Sequence, residues 1–135
     1  MDSRRIKVDV SNTEAILGFE AAAAYWGYST YSYAVYPIFV YSGGSCATDG
    51  RVIDREITSN EYIISEEGYK VMKPEYAICD MIEYEADMFH TLESIDRYFH
   101  FADDTTPLEN LAKKRGIYDK LMEYAEIAEK DFEEQ

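Results

Sequence analysis

Cysteine is scarce in this chain of 135 residues: only Cys46 and Cys79 occur, with no close pair and no flanking histidine. That spacing excludes a disulfide framework and the paired-cysteine zinc motifs. Both are read as free thiols, and Cys79, in an apolar helical stretch, as a small buried hydrophobe. Proline occurs three times, and no Pro/Gly/Ser-rich linker divides the sequence, so one domain spanning residues 1–135 is expected. Long hydrophobic runs are missing too. The stretch Ala21–Thr48 is uncharged, but it is filled with Tyr, Ser and Gly and interrupted by Pro37, so it reads as no membrane helix. The start, Met1-Asp2-Ser3-Arg4-Arg5-Ile6-Lys7, carries no apolar signal segment, and a cytoplasmic location is the expectation.

Positive charge is the next shortage. There are 13 Lys and Arg against 27 Asp and Glu, for a formal net charge of -14. A free protein of that sign repels phosphate backbones, so direct nucleic-acid binding is not expected. The one basic cluster, Arg4, Arg5 and Lys7, is too short to reverse that. The acidity fits either a solvated surface or a face that meets a basic partner. Hydrophobic residues make up 47% of the sequence and are spread along it, which argues against disorder.

What is present reads as α/β (α+β) in class. Ser11 with Glu14 forms a capping-box pattern ahead of an expected helix from Thr13 to Trp26, and Gly27 stops it. Four consecutive alanines, Ala21–Ala24, let another element approach that helix closely. Tyr36–Tyr41 reads as a strand with Pro37 at its start or on an edge. Ser42-Gly43-Gly44-Ser45 is a turn, and Arg51–Ile57 a candidate second strand. Glu61–Ile64 and Tyr69–Met72 flank Ser65-Glu66-Glu67-Gly68 as a hairpin. The expected sheet is small and mostly antiparallel.

Beyond Lys73 the period becomes helical and about four helices follow. Pro74 suits a first helical position and Glu75 its first turn, ahead of an apolar face of Tyr76, Ala77, Met81 and Ile82 flanked by Ile78 and Cys79. Asp87 caps the next helix, in which Met88, Leu92, Ile95 and Phe99 recur at one-turn spacing. Thr106-Pro107-Leu108-Glu109 reads as a capping box, with Gly116 at that helix's end. The last helix presents Leu121, Tyr124, Ala125 and Ala128 on one side.

Patterns that carry chemistry are thin. His90 and His100 lack the spacing of a helical metal site and read as surface or interface residues. Gly43-Gly44-Ser45 lacks the lysine and following helix of a phosphate loop, and Ser45 lacks the Gly-x-Ser-x-Gly setting of an exposed nucleophile. Asp54 and Glu56 would face one side of a strand, as in a metal-dependent nuclease, but no lysine follows at the short spacing such enzymes use. Asp103-Asp104 reads as a helix approach. No catalytic residue, metal site or cofactor is assigned.

Aromatic density is the positive signal. The 13 tyrosines include Tyr28, Tyr31, Tyr33, Tyr36 and Tyr41, crowded with Tyr25, Trp26 and Phe39 into one segment. Strand side chains alternate faces, so about half of these are expected in the core and the rest partly exposed. Tyr and Trp combine large area with a polar handle, which suits protein interfaces. Tyr28, Tyr31, Tyr33 and Tyr41 are the candidate partner-binding residues.

The run Val71-Met72-Lys73-Pro74-Glu75-Tyr76-Ala77-Ile78-Cys79-Asp80-Met81-Ile82 resembles the strand-to-helix motif of the C-terminal domain of the AbiEi family of antitoxins, from bacterial abortive-infection (type IV) toxin–antitoxin systems. Pro74, Glu75, Ala77, Ile78, Cys79 and Asp80 match the pattern. Tyr76 replaces its usual arginine, and Lys73 stands where Ser or Thr commonly caps. Leu92–Tyr98 and Leu108–Ile117 are similar to the family's closing helices, and Ala21–Ser29 to its opening segment. The resemblance implies a non-catalytic antitoxin module whose partner is a nucleotidyltransferase toxin. Family members usually add an N-terminal winged helix that represses their operon. This chain opens almost at the first helix, so a module without that function is expected. Two other readings stand beside it: an acidic DNA mimic or regulator of a basic protein, and a degenerate metal-dependent nuclease using Asp54 and Glu56.

Overall fold

A computed structural model describes residues 15–42, 51–53 and 57–133. The Ser11–Glu14 cap, the Arg4–Lys7 cluster, the Gly43–Ser45 turn, Cys46, Asp54 and Glu56 lie outside the described residues. The class is α+β: a small sheet followed by a helical C-terminal cluster.

The hairpin forms as its pattern predicts. Strands β4 (Tyr62–Ile64) and β5 (Lys70–Met72) pair antiparallel, with Ile63 opposite Val71. The Ser65 N–H donates to the Tyr69 carbonyl at 2.8 Å, and Gly68 takes the positive φ (95°) that the turn requires. Just upstream, Thr58 and Glu61 make the capping box of a short 3-10 turn, and the Glu61 carbonyl accepts from the Lys73 N–H at 2.9 Å.

The N-terminal helix begins later than expected. Ile16–Leu17 is a strand, β1, and among the described residues it occupies the centre of a five-stranded sheet, with β2 (Phe39–Ser42) and β3 (Arg51–Ile53) beyond it on one side and β5 and β4 on the other, in the order β3-β2-β1-β5-β4. It runs antiparallel to β2 and parallel to β5, while β2 runs parallel to β3. The sheet is therefore mixed, two ladders of each kind, rather than mostly antiparallel. Two residues carry no periodicity of their own. Only their pairing with Phe39–Val40 on one side and Lys70–Val71 on the other makes them a strand.

Helix α1 (Phe19–Tyr25) follows one residue after β1. Gly18 makes this possible: a Cβ there would lie 2.1 Å from Val40 Cγ2, inside the fully buried Val40 side chain. Its N–H donates to the Ile38 carbonyl at 2.9 Å. Phe19, next along, has φ 50°, in the left-handed region that non-glycine residues rarely enter. That conformation costs about 1–3 kcal/mol. Burial of the Phe19 ring, packed edge-on against Tyr84 at 6.1 Å, offsets about 2–3 kcal/mol of it. Gly27 (φ 89°) ends α1, with Tyr28 N–H donating back to the Ala23 carbonyl and Gly27 N–H to Ala24. The Trp26 indole N–H then pins this end to the last strand through the Met72 carbonyl at 2.8 Å.

The alanine tract serves two neighbours. Ala21 and Ala22 pack with Ile16, Leu17, Val71 and Met72 of the sheet, whereas Ala23 packs into the helical core. The centre of that core is α2 (Pro74–Glu83), whose residues from Ala77 to Ile82 are all buried. Helices α1, α3 (Met88–Phe101) and α4 (Thr106–Arg115) all contact it, and α5 (Tyr118–Glu133) lies against α3 and α4. Pro74 holds the first helical position, as its chemistry dictates.

Other boundaries shift by a residue. Asp87 caps α3 as expected, accepting from the His90 N–H at 3.0 Å. Leu92 and Ile95 are buried and Phe99 packs against the core as their spacing predicts, with Thr91, Glu93, Ser94 and Tyr98 buried beside them, whereas Met88 is half exposed. Helix α4 is not closed by the expected Thr106–Glu109 box. The Asp104 carboxylate accepts from the Thr106 N–H at 3.0 Å, and the Thr105 hydroxyl donates to Glu109 at 2.8 Å. The hydrogen bonds from Thr106 hold Asp104 below its usual pKa. Gly116 (φ 73°) ends α4, and on α5 Leu121 and Ala128 are buried with Tyr124 and Ala125 packed beside them.

Gly18→Ala should destabilise the fold by about 1–3 kcal/mol, the usual range for forcing extra volume into a packed site. In a Val40→Ala background the added cost should shrink. Urea unfolding of the two single variants and the double variant checks this, because a penalty independent of Val40 would place the strain elsewhere.

Candidate protein-binding surface

The aromatic segment after α1 has no regular secondary structure from Ser29 to Ser32, yet it is held at close quarters by one carboxylate. Glu93, on the buried side of α3, accepts from the Thr30 N–H at 2.8 Å, from the Thr30 hydroxyl at 3.0 Å and from the Ser29 hydroxyl at 3.1 Å. His90 Nδ1 lies 3.3 Å from the same carboxylate and 3.2 Å from the Ser29 hydroxyl, and Arg97 stands at 3.7 Å. Ser29 also accepts from the Tyr31 N–H at 3.1 Å. A buried carboxylate is costly without partners, and here loop donors replace the water it loses. Burial pushes the Glu93 pKa up, but the hydrogen bonds from Thr30, His90 and Ser29 outweigh it and leave the carboxyl below its usual range.

The segment so anchored turns outward. The Tyr31 hydroxyl donates to the Tyr36 carbonyl at 2.8 Å, closing a small loop whose tip, Val35 and Tyr36, is exposed at 62% and 66%. Of the residues singled out from sequence, Tyr28 is half-buried against Tyr98, with ring centroids 5.2 Å apart, and its pKa is raised by burial and then by Asp103. Tyr33 is half-buried beside Tyr25 at 5.9 Å, and Tyr31 is half-buried with its ring edge-on to His90 at 5.5 Å. The side chain of Tyr41 is outside the described residues. The expected division into core and exposed rings is thus replaced by a row of half-buried ones. Edge-to-face packing lets each ring cover a neighbour while its hydroxyl stays near water. The most exposed aromatic of the segment, Tyr36, is one the sequence did not distinguish from its neighbours.

The row continues across α3. His90 packs against Phe89 at 5.1 Å, and Phe89, 54% exposed, meets Phe132 of α5 at 5.8 Å. Tyr36, Tyr31, His90, Phe89 and Phe132 therefore form one connected strip drawn from the loop, α3 and α5. The helical period of α3 could have found Phe89, which falls off the stripe of Leu92 and Ile95, but it placed Met88 on that stripe, and Met88 is half exposed.

The Pro74–Asp80 motif has a structural meaning. Pro74 and Glu75 open α2, and the wholly buried Asp80 carboxylate accepts from Arg115 Nη1, at the end of α4, at 2.8 Å. Arg115 also reaches Glu83 at 3.4 Å and lies over the Tyr76 ring at 5.8 Å. Tyr76 thus covers the arginine that α4 supplies. A shallow open depression of about 570 Å³ adjoins this pair, lined by Ile82, Glu83, Glu85, Arg115, Ile117 and Lys120. Next to Asp80, the Cys79 thiol is fully buried, and burial pushes its pKa up to about 12, which makes it unreactive as a nucleophile. Among the described residues no group of three or more His, Cys, Asp or Glu side chains is arranged to hold a metal, and no helix is long and apolar enough to cross a membrane.

No protein-family model matches the chain, and no curated protein matches it either.

Two outcomes follow from the charges just described. Asp80→Ala should cost about 3–5 kcal/mol, because it leaves the Arg115 cation without its buried counter-charge. Arg115→Ala should cost a similar amount, and the double variant less than the sum, in thermal and urea unfolding. For Glu93, the folded pKa is depressed, so its contribution is present above the unfolded value near 4.5 and is lost as pH falls through the folded value. Stability of the native chain should therefore drop below about pH 5 more steeply than that of Glu93→Gln. Parallel slopes in acid titrations of unfolding would remove Glu93 as the anchor.

Proposed function

We propose that this chain is a non-catalytic protein-binding domain that works as an abortive-infection type antitoxin, counteracting a nucleotidyltransferase toxin by direct contact. The observation that carries this reading is the aromatic loop Ser29–Tyr36. A buried carboxylate with several donors fixes it, and its exposed tip ends in Val35 and Tyr36. Holding exposed apolar side chains in one arrangement lowers the ordering cost of binding, and exposed aromatic anchors are where interface energy concentrates. The motif at Pro74–Asp80 adds support through its residues, since it begins the helix on which the rest of the domain packs.

The acidity has a role in this reading. A chain of formal net charge -14 is steered toward partners of the opposite sign and repelled by phosphate backbones. The partner is therefore a protein rather than the nucleic acid on which a nucleotidyltransferase acts. Contact with such a toxin needs neither a cofactor nor a reacting group from this chain.

Co-expression with any nucleotidyltransferase encoded beside it is the test. Growth should be restored, and the two proteins should stay together through affinity purification and gel filtration. Tyr36→Ala should weaken the complex about tenfold, equivalent to about 1.4 kcal/mol, without altering the unfolding midpoint. A toxin that remains lethal and unbound in the presence of the folded chain would falsify the proposal.

A further inference from the structure

The connected strip from Tyr36 to Phe132 has a consequence for the kind of partner that fits. Resting on the protein-binding reading above, we infer that this strip is a docking surface for a positively charged protein face with an apolar centre. Its own centre is apolar: Tyr36, Met88 and Phe89 are each at least half exposed, ring contacts run from Tyr31 through His90 and Phe89 to Phe132, and the Tyr31 hydroxyl reaches the Tyr36 carbonyl. Its margin is acidic. Asp87 caps α3 beside Met88, and on α5 the exposed Glu129 stands one turn before Phe132 on the same side of the helix. The cations nearby face carboxylates of this chain, Lys130 toward Glu126 at 3.9 Å and Arg97 toward Glu93 at 3.7 Å.

That distribution decides between occupants. A second copy of the chain would bring two acidic margins together, each part of a molecule of net charge -14, and like-charge juxtaposition disfavours the pair. A partner with lysine or arginine around an apolar ridge meets the margin with opposite charge and the centre with complementary surface. The anchoring supports this further. Tyr31 is tied to Tyr36 by one hydrogen bond, and its backbone is tied through Ser29 to the Glu93 hub, so the loop half of the strip is fixed relative to α3. Apolar side chains gathered on such a surface, with polar groups around them, are what marks an interaction site.

The probe is a labelled amphipathic peptide of about 18 residues made of leucine and lysine, with all leucines on one helical face. Its control has the same composition in scrambled order, which keeps the charge and removes the ridge. Fluorescence anisotropy with the full chain should show the patterned peptide binding about tenfold more tightly than the scrambled one. Phe89→Ser and, separately, Tyr36→Ser should each reduce that preference at least several-fold while circular dichroism and the unfolding midpoint stay unchanged. The two residues lie in different elements, so local unfolding cannot account for both. Equal affinity for the two peptides, or a preference that survives both substitutions, would overturn the inference. So would a homodimer in sedimentation that Phe89→Ser dissociates, which would assign the strip to a second copy. No toxin enters this measurement, so its failure is separable from a failure to neutralise one.

Discussion

Helix α2 has to be covered on almost every side, and most of the architecture answers that demand. Six successive residues, Ala77 to Ile82, are buried, which a helix at a surface cannot achieve. Helices α1, α3 and α4 supply the cover, and Ala77 faces the sheet, where α1 presents Ala21 and Ala22. With no side left for water, the one charge in that stretch, Asp80, needs a counter-charge from outside the helix. Arg115 provides it from the far end of α4. A buried pair of this kind adds little net stability, but it penalises any packing of α4 that fails to deliver the arginine. Asp80 thus sets a register, which gives the motif a physical reason without assigning it a reaction.

Glu93 plays a comparable part at the edge of the helical cluster. It lies among the buried residues of α3, and its partners come from the irregular segment after α1. An α-helix satisfies its own backbone, whereas an irregular loop must find partners elsewhere. Here the loop finds them in a carboxylate, and the carboxylate finds in the loop the donors that replace water. This mutual satisfaction connects fold to function in the proposed reading. The same contacts that make burial of Glu93 tolerable also hold an aromatic tip out in solvent, tied through Tyr31 to His90 of α3.

How far the sequence could be read follows from the range of the interactions involved. The β4–β5 hairpin, the start of α2 at Pro74, the Asp87 cap and the glycine stops at Gly27 and Gly116 are settled within a few residues of chain, and they appear where local chemistry puts them. Ile16–Leu17 is different: surrounded by helix-compatible residues, it becomes a strand because two distant segments pair with it. In α3, Leu92 and Ile95 are buried and Phe99 packs on the core as their spacing predicts, but the buried side is wider and takes in Thr91 and Ser94, whose hydroxyls donate to the carbonyls of Asp87 and His90 one turn back. A polar residue satisfied by its own helix can enter a core, and hydropathy does not register that. Likewise, the candidate surface was legible as a segment rich in tyrosine but not as a strip, since Phe89 and Phe132 join it only across space.

By itself, the sequence determined the α+β class, the hairpin, the succession of C-terminal helices and the sign of the protein's electrostatic field, because each depends on local propensity or on a sum of charges. Tertiary structure alone decided the central place of β1, the mixed pairing of the sheet, the Asp80–Arg115 and Glu93–Thr30 partnerships, and which aromatics face solvent. Those outcomes depend on groups from 11 to 63 residues apart in the chain, whose meeting is set by how the elements pack and not by any pattern within one of them.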